Sequence, residues 1–517
     1  MDLFEPYRTE PYSDFSQESV QTAYQEALKA VRQQLGREYP LVIGGENVTT
    51  AHGLITSVNP CDTQEVVGYT AKAKRKEVER AVNAAWDAYA GWSRQTMAER
   101  ARALVKLAAV MRRRKFELSA WETLEASKSY AEAEADVAEA IDFCEYYARE
   151  ALKLAGPLPT YDYPGEENTS FLVPIGAGLV IPPWNFLLAI LVGTAVGPVV
   201  VGNTVVVKPS PDTPIIAHKF MECVAEAGFP PGVFNLLTGA DEDIGDLLVD
   251  HPRVRFINFT GSLATGLRIH ERAAKLQPGQ KWLKKVYAEL GGKDALIVDE
   301  TADLDAAAAA AVSSAFSFQG QKCSALSRLI VVDEIYDALL EKVVAGAEKL
   351  TFGPAESNSD VGAVINQRAV DKIMGYVENG KTEAKLVLGG GRGDAAGFFI
   401  EPTVFAEVPQ SASIACEEIF GPVLSVMRAR DFDHALELAN STVYGLTGGV
   451  FSRDRNRLER ARREFHVGNL YLNRKITGAL VGVQPFGGFN LSGSNAKAGG
   501  PDYLRLFMEM KTVAERF

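Results

Sequence analysis

From residue 178 onward the chain alternates short apolar runs with helical stretches, and that alternation restricts it to few folds. Gly178-Leu179-Val180-Ile181, Thr204-Val205-Val206-Val207, Val233-Phe234-Asn235-Leu236-Leu237 and Arg255-Phe256-Ile257-Asn258-Phe259 are bounded by Gly or Pro. Runs this apolar are buried on both faces, as happens when helices cover a parallel sheet. A second alternation starts at Asp294-Ala295-Leu296-Ile297-Val298, with a helix over 303–318, then Leu329-Ile330-Val331-Val332 and a helix over 335–350. The pattern predicts an α/β protein with two sheet-bearing units. At 517 residues the chain can fill two or three cores.

Outside these runs the texture differs. Residues 1–40 are polar, rich in Gln and Glu, and read as a helical N-terminal appendage. Over 76–155 the apolar spacing is helical: Val78, Val82, Ala85, Trp86 and Tyr89, then Leu104, Leu107 and Val110. Residues 157–168 read as a linker or protruding hairpin, Gly389-Gly390-Gly391 as a turn, and 504–513 as an edge strand.

Charge and cysteine usage exclude several classes. With 66 acidic and 54 basic residues the net charge is -12, which disfavours nucleic acid. The 5 cysteines form no CxxC pair and the 6 histidines lack ligand spacing, so no metal is expected. Met1-Asp2-Leu3-Phe4-Glu5 begins no apolar signal segment. The apolar stretch at 187–201 is interrupted by Gly193, Gly197 and Pro198 and is too short to span a membrane. A reducing, cytoplasmic compartment is expected.

Several short stretches carry chemistry. Cys323, in Gly320-Gln321-Lys322-Cys323-Ser324, lies between a helix and a strand, where a thiol is placed to react; the alternative is an inert cysteine. Glu289, in Glu289-Leu290-Gly291-Gly292-Lys293, is a candidate general base or a plain surface carboxylate. In Pro183-Trp184-Asn185-Phe186, the amide of Asn185 is a candidate oxyanion donor and the aromatics are candidate pocket walls or packing groups. Lys208, in Val207-Lys208-Pro209-Ser210, ends a strand where open α/β sheets bind ligands, and is either a ribose or phosphate contact or a solvated strand-end lysine. Phe259-Thr260-Gly261-Ser262 joins a strand to a helix; it is either a pyrophosphate cradle or an ordinary turn, and its spacing is not GxGxxG.

Taken in order, and with Glu417-Glu418-Ile419-Phe420-Gly421-Pro422 added, these motifs resemble the aldehyde dehydrogenase superfamily over nearly the whole chain after residue 40. The resemblance implies a Rossmann-like cofactor domain (41–155 and 176–288), an α/β catalytic domain (289–487) and a small β oligomerisation element (156–175 and 488–517). It implies Cys323 as nucleophile, Glu289 as the base that activates water, and Asn185 with the Cys323 backbone N–H as oxyanion site. It implies NAD held by Lys208, Ser210, Trp184, Gly261, Ser262, Glu418 and Phe420. Many NAD-preferring members carry Glu three residues after the lysine; Pro211 stands here, which leaves NADP acceptable beside NAD.

The stretch Ile476-Thr477-Gly478-Ala479-Leu480-Val481-Gly482-Val483-Gln484-Pro485-Phe486 resembles the anchor loop of the branch that oxidises L-glutamate γ-semialdehyde, the open form of Δ1-pyrroline-5-carboxylate, in proline breakdown. That branch also carries an N-terminal appendage. The resemblance implies that Ser324, Gly478 and Ala479 hold the substrate's α-carboxylate, with Phe186 and Phe486 about its methylene chain. Aminoadipate or succinate semialdehyde are the competing substrates. Dimers or multiples of dimers, and association with proline dehydrogenase, are the partners implied. Asn490-Leu491 and Asn495-Ala496 depart from the expected pattern, outside the proposed contacts.

Overall fold

The computed structural model describes residues 3–517; Met1 and Asp2, the start of the N-terminal run discussed above, lie outside them. Two seven-stranded sheets carry the expected alternation. In the first, Lys285–Glu289, Phe256–Thr260, Ala177–Ile181, Thr204–Val207 and Phe234–Leu236 are parallel neighbours, extended by the antiparallel pair Leu41–Ile43 and Glu46–Val48. Every residue of Thr204–Val207 is buried, as a central parallel strand requires. After Ala177–Ile181 the chain adds strands on one side, then returns to add Phe256–Thr260 on the other. A crevice outside the strand carboxyl ends at such a reversal is where open α/β sheets take ligands.

The second sheet runs Lys385–Leu388, Thr403–Ala406, Val423–Ala429, Leu326–Val332, Asp294–Val298, Thr447–Phe451 and Asn469–Leu472, antiparallel only at the first pair. Residues 290–293 join the last strand of the first sheet to Asp294–Val298, the neighbour of the central strand in the second.

The helical periodicity of 76–155 resolves into Arg75–Trp92, Met97–Arg113, Lys115–Ala126 and Tyr130–Lys153. Thr96 caps the second of these through a reciprocal pair with Glu99. Gly193 lets Ala189–Val200 lie against Tyr130–Lys153: a Cβ at Gly193 would sit 2.8 Å from the Phe143 ring.

Two expectations need correction. The appendage is helical only over Glu18–Arg32; before it the chain is an irregular arm, because Pro6 and Pro11 withhold N–H groups and bias their predecessors to extended backbone. The C-terminal strand is Met508–Arg516, since Tyr503–Phe507 forms a 3₁₀ turn that buries Tyr503, Leu504 and Phe507 together. That strand pairs antiparallel with Glu166–Pro174 along its length, a two-stranded ribbon with an exposed outer strand. Among the described residues no helix is long and apolar enough to cross a membrane.

Candidate active site

Glu289 ends the last strand of the first sheet, and Asp294 opens a strand of the second. The seam between them is tight. A Cβ on Gly291 would lie 2.3 Å from the Glu418 carboxylate oxygens; one on Gly292 would lie 2.5 Å from both the Asp294 carboxylate and the Cys323 carbonyl. Only glycines let these groups converge.

Cys323 is delivered by a kinked turn between Leu304–Phe316 and Leu326–Val332. Phe318 (φ 50) and Gln319 (φ 55) adopt left-handed backbone, a strain that concentrates at functional turns. Gly320 is also left-handed, and a Cβ there would lie 2.4 Å from the Gly421 carbonyl. Buried Gln321 fixes the turn: its side-chain oxygen accepts from Ile365 N at 2.9 Å, and its carbonyl accepts from Asn185 Nδ2 at 2.9 Å. Asn185 is thus tied to the residue two before the thiol, with one amide hydrogen left to donate.

The electrostatics favour the neutral forms of the thiol and the carboxyl at rest. Burial, then the negative field of Glu289, Asp294 and Glu418, holds the Cys323 thiol well above its ordinary value, so it is protonated at rest. Burial pushes the Glu289 carboxyl up to about 8, opposed by Lys497 and aided by Asp294. Its Oε1 is shut from solvent with no hydrogen-bond partner. Asp294 is likewise raised to about 8 by burial, with one oxygen accepting from Thr447 N at 2.7 Å and the other unpartnered. Lys293, buried and unpartnered, is lowered to about 7. Asp294 and Lys497 escaped the sequence reading. Asp294 had a signal, a carboxylate opening a wholly buried strand; Lys497, left-handed at φ 51 in a loop, had none.

The crevice at the strand reversal gathers the cofactor candidates. Trp184 follows Ala177–Ile181, and Gly261 and Ser262 follow Phe256–Thr260. Ser262 caps the helix Leu263–Ala274, accepting from Thr265 N at 3.3 Å. Phe420 (φ 62) meets Trp184 edge-on at 5.4 Å between ring centroids. Ser210 Oγ accepts from Asp212 N at 3.2 Å. The Glu418 carboxylate, raised by burial, accepts from Gly292 N at 3.1 Å. Lys208, buried, is ion-paired to the exposed Asp241. A helix N-terminus, an ammonium and a carboxylate are the groups that a dinucleotide's pyrophosphate and ribose hydroxyls call for. The Lys208–Asp241 pair also qualifies the argument from Pro211, because it brings a carboxylate to the lysine from the start of the helical turn Asp241–Gly245.

On the other side, Ser324 is buried beside the thiol. Phe186 lies 5.1 Å from the Lys128 ammonium, which pairs with Glu122 and Asp136. Phe486 N donates to the Ala498 carbonyl at 2.8 Å, and a Cβ on the next residue, Gly487, would lie 3.5 Å from Glu289 Oε2. Gly478 is left-handed (φ 76), with Ala479 half-buried after it. A cavity of about 720 Å³ between Leu304–Phe316 and Tyr336–Ala347 contains none of these residues.

The aldehyde dehydrogenase family profile matches residues 48–513. A 1-pyrroline-5-carboxylate dehydrogenase of Geobacillus kaustophilus (strain HTA426) is 56% identical over 516 residues, covering 100% of both chains. One from Bacillus subtilis (strain 168) is 51% identical, covering 99% of both. A Thermus 1-pyrroline-5-carboxylate dehydrogenase crystallised with bound NAD superposes with a TM-score of 0.98 at 59% identity, covering 99% of this chain and 100% of that one. Proline utilization A (PutA) from Bdellovibrio bacteriovorus gives 0.97 at 43% identity, over 99% of this chain but 53% of that one.

Proposed function

The chain belongs to the aldehyde dehydrogenase family, and on that premise we propose that it oxidises L-glutamate γ-semialdehyde, from Δ1-pyrroline-5-carboxylate, to L-glutamate with NAD, the last step of proline breakdown. The observation that carries the chemistry is the convergence of a half-buried thiol, Cys323, and a raised carboxyl with an unpartnered oxygen, Glu289, at one seam. Support for the substrate is the full-length likeness to enzymes bearing that name.

Because the thiol rests protonated, a base takes its proton as Sγ adds to the aldehyde carbon; Glu289 is that base. The remaining amide hydrogen of Asn185 and the backbone N–H of Cys323 stabilise the oxygen as it gains charge. NAD, when bound, accepts the hydride from that carbon. Glu289 gives that proton up to solvent, takes one from the water that attacks the thioester, and passes it to the departing Cys323 thiolate as glutamate forms. Ser324 and the amides of Gly478 and Ala479 hold the α-carboxylate, while Phe186 and Phe486 flank the methylene chain. Lys208, Ser210, Trp184, Gly261, Ser262, Glu418 and Phe420 hold the cofactor, on a cofactor domain of 41–155 with 176–288; residues 289–487 form the catalytic domain.

The exposed ribbon of Glu166–Pro174 and Met508–Arg516 joins copies into dimers or multiples of dimers. The site of action is the cytoplasm, in keeping with five free thiols. Proline dehydrogenase, which supplies the substrate, is a partner with which this protein associates.

The test is NADH formation at 340 nm. Pyrroline-5-carboxylate should give the highest kcat/KM among semialdehydes, and Cys323→Ala should abolish turnover with its fold intact. A higher kcat/KM for succinate or aminoadipate semialdehyde would reassign the substrate.

A further inference from the structure

The N-terminal arm reaches across the molecule to the stretch read above as the carboxylate anchor. Tyr7 donates its hydroxyl to the Val481 carbonyl at 3.0 Å, across 474 residues of chain. Its ring meets Tyr146 edge-on, with centroids 5.3 Å apart. Gly482, left-handed at φ 74, lies beneath both rings: a Cβ there would be 2.9 Å from Tyr146 and 3.1 Å from Tyr7. Gly482 N donates to the Gly499 carbonyl at 2.9 Å.

The arm is itself fastened to the helix Tyr130–Lys153. Arg149 Nε donates to the Glu5 carbonyl at 2.8 Å and its guanidinium covers the Phe4 ring. Glu10 N donates to Asp142 Oδ1 at 2.8 Å, and Ser13 N to Glu134 Oε1 at 3.1 Å.

Between Gly478 (φ 76) and Gly482 (φ 74) the loop has two conformationally permissive ends. Its outer end is held by a residue no closer in sequence than the far terminus. Donors held in place before a ligand arrives bind it at a lower entropic cost. We infer that the N-terminal arm is a specificity element and that Tyr7 is a positioning residue, fixing the anchor loop so that its amides face a substrate carboxylate. This inference rests on the reading of Gly478 and Ala479 as the anchor. An aldehyde without an α-carboxylate does not call on the loop, so the arm should discriminate between the two kinds of substrate.

The experiment compares the full-length protein with Tyr7→Ala and Tyr7→Phe, using pyrroline-5-carboxylate and propanal. Losing the hydrogen bond and the ring contact should raise KM for pyrroline-5-carboxylate about fivefold in Tyr7→Ala, with kcat within about twofold. Tyr7→Phe keeps the ring and should show a smaller rise. KM for propanal and for NAD should not move. A pyrroline-5-carboxylate KM unchanged in Tyr7→Ala, or a propanal KM rising in step, overturns the inference. If Tyr7→Ala does not fold, Tyr7→Phe decides: a rise of about twofold confined to pyrroline-5-carboxylate supports the role, and none refutes it. Ser324→Ala separates the two levels. If it raises KM and the Tyr7 variants do not, the anchor stands and the arm's role fails; if it has no effect, the anchor reading fails and the inference falls with it.

Discussion

Lys208 and Asp241 form an ion pair at the carboxyl end of Thr204–Val207, with the ammonium 2% exposed and the carboxylate 74% exposed. The lysine is thereby fixed in the crevice, and a negative charge stands beside it that Pro211 does not supply. A 2′-phosphate entering here meets that charge. Asp241→Asn should therefore raise kcat/KM for NADP relative to NAD by about tenfold. An unchanged NADP-to-NAD ratio would remove Asp241 from cofactor choice.

Turnover should follow the ionisation of Glu289. With its carboxyl at about 8, about one site in ten is ionised at pH 7. The rate of thioester hydrolysis should climb with pH and level off above about 8, and Glu289→Gln should flatten the profile.

The same group makes a statement about stability. Its folded value is raised, so between the ordinary glutamate value of about 4.3 and about 8 the unfolded chain has given up a proton that the folded chain keeps. Stability from this group is full below that window and is lost as pH rises through it. The melting temperature of Glu289→Gln should gain on that of the parent from pH 5 to 8, and the gain should then stop growing.

Asp294 adds to the negative field that burial and Glu289 already impose on Cys323. Asp294→Asn should lower the thiol's pKa and speed its alkylation by iodoacetamide at pH 9 by about threefold. Equal alkylation rates would show that the aspartate acts only on the local fold, through Thr447.

Ser324→Ala should weaken substrate binding by about 1–3 kcal/mol, since a charged acceptor loses a donor. The effect should appear in KM for pyrroline-5-carboxylate and in the inhibition constant of glutamate.

Lys128, 1% exposed, is shared between Glu122 and Asp136, both fully buried. Lys128→Met leaves two carboxylates without their cation and should cost about 3–5 kcal/mol in urea unfolding.

The parallel-sheet strands were legible because a strand buried on both faces has to be apolar throughout, and Thr204–Val207 is. The candidate residues were legible where chemistry demands a rare combination, as with the glycines before Lys293 and the cysteine after Gln321. Residues 3–17 were misread because polar composition says nothing of what a segment lies on; the proline spacing was the better guide. Residues 504–507 were misread because a buried turn and the start of a strand share the same apolar content. Lys497 reaches its site from a loop and Asp241 from the start of the short helical turn Asp241–Gly245; the course of both depends on tertiary packing, and no local pattern announces that.

Glu289 ends a strand of one sheet and Cys323 sits in the turn that leads into a strand of the other, and residues 290–293 are the direct link between those sheets. The reacting distance is therefore an interfacial quantity, set by how two separately packed bodies register against each other. Substitutions that let one sheet slip should appear as losses of turnover even where they touch neither side chain, and ligands that lock the register should act as activators at a distance.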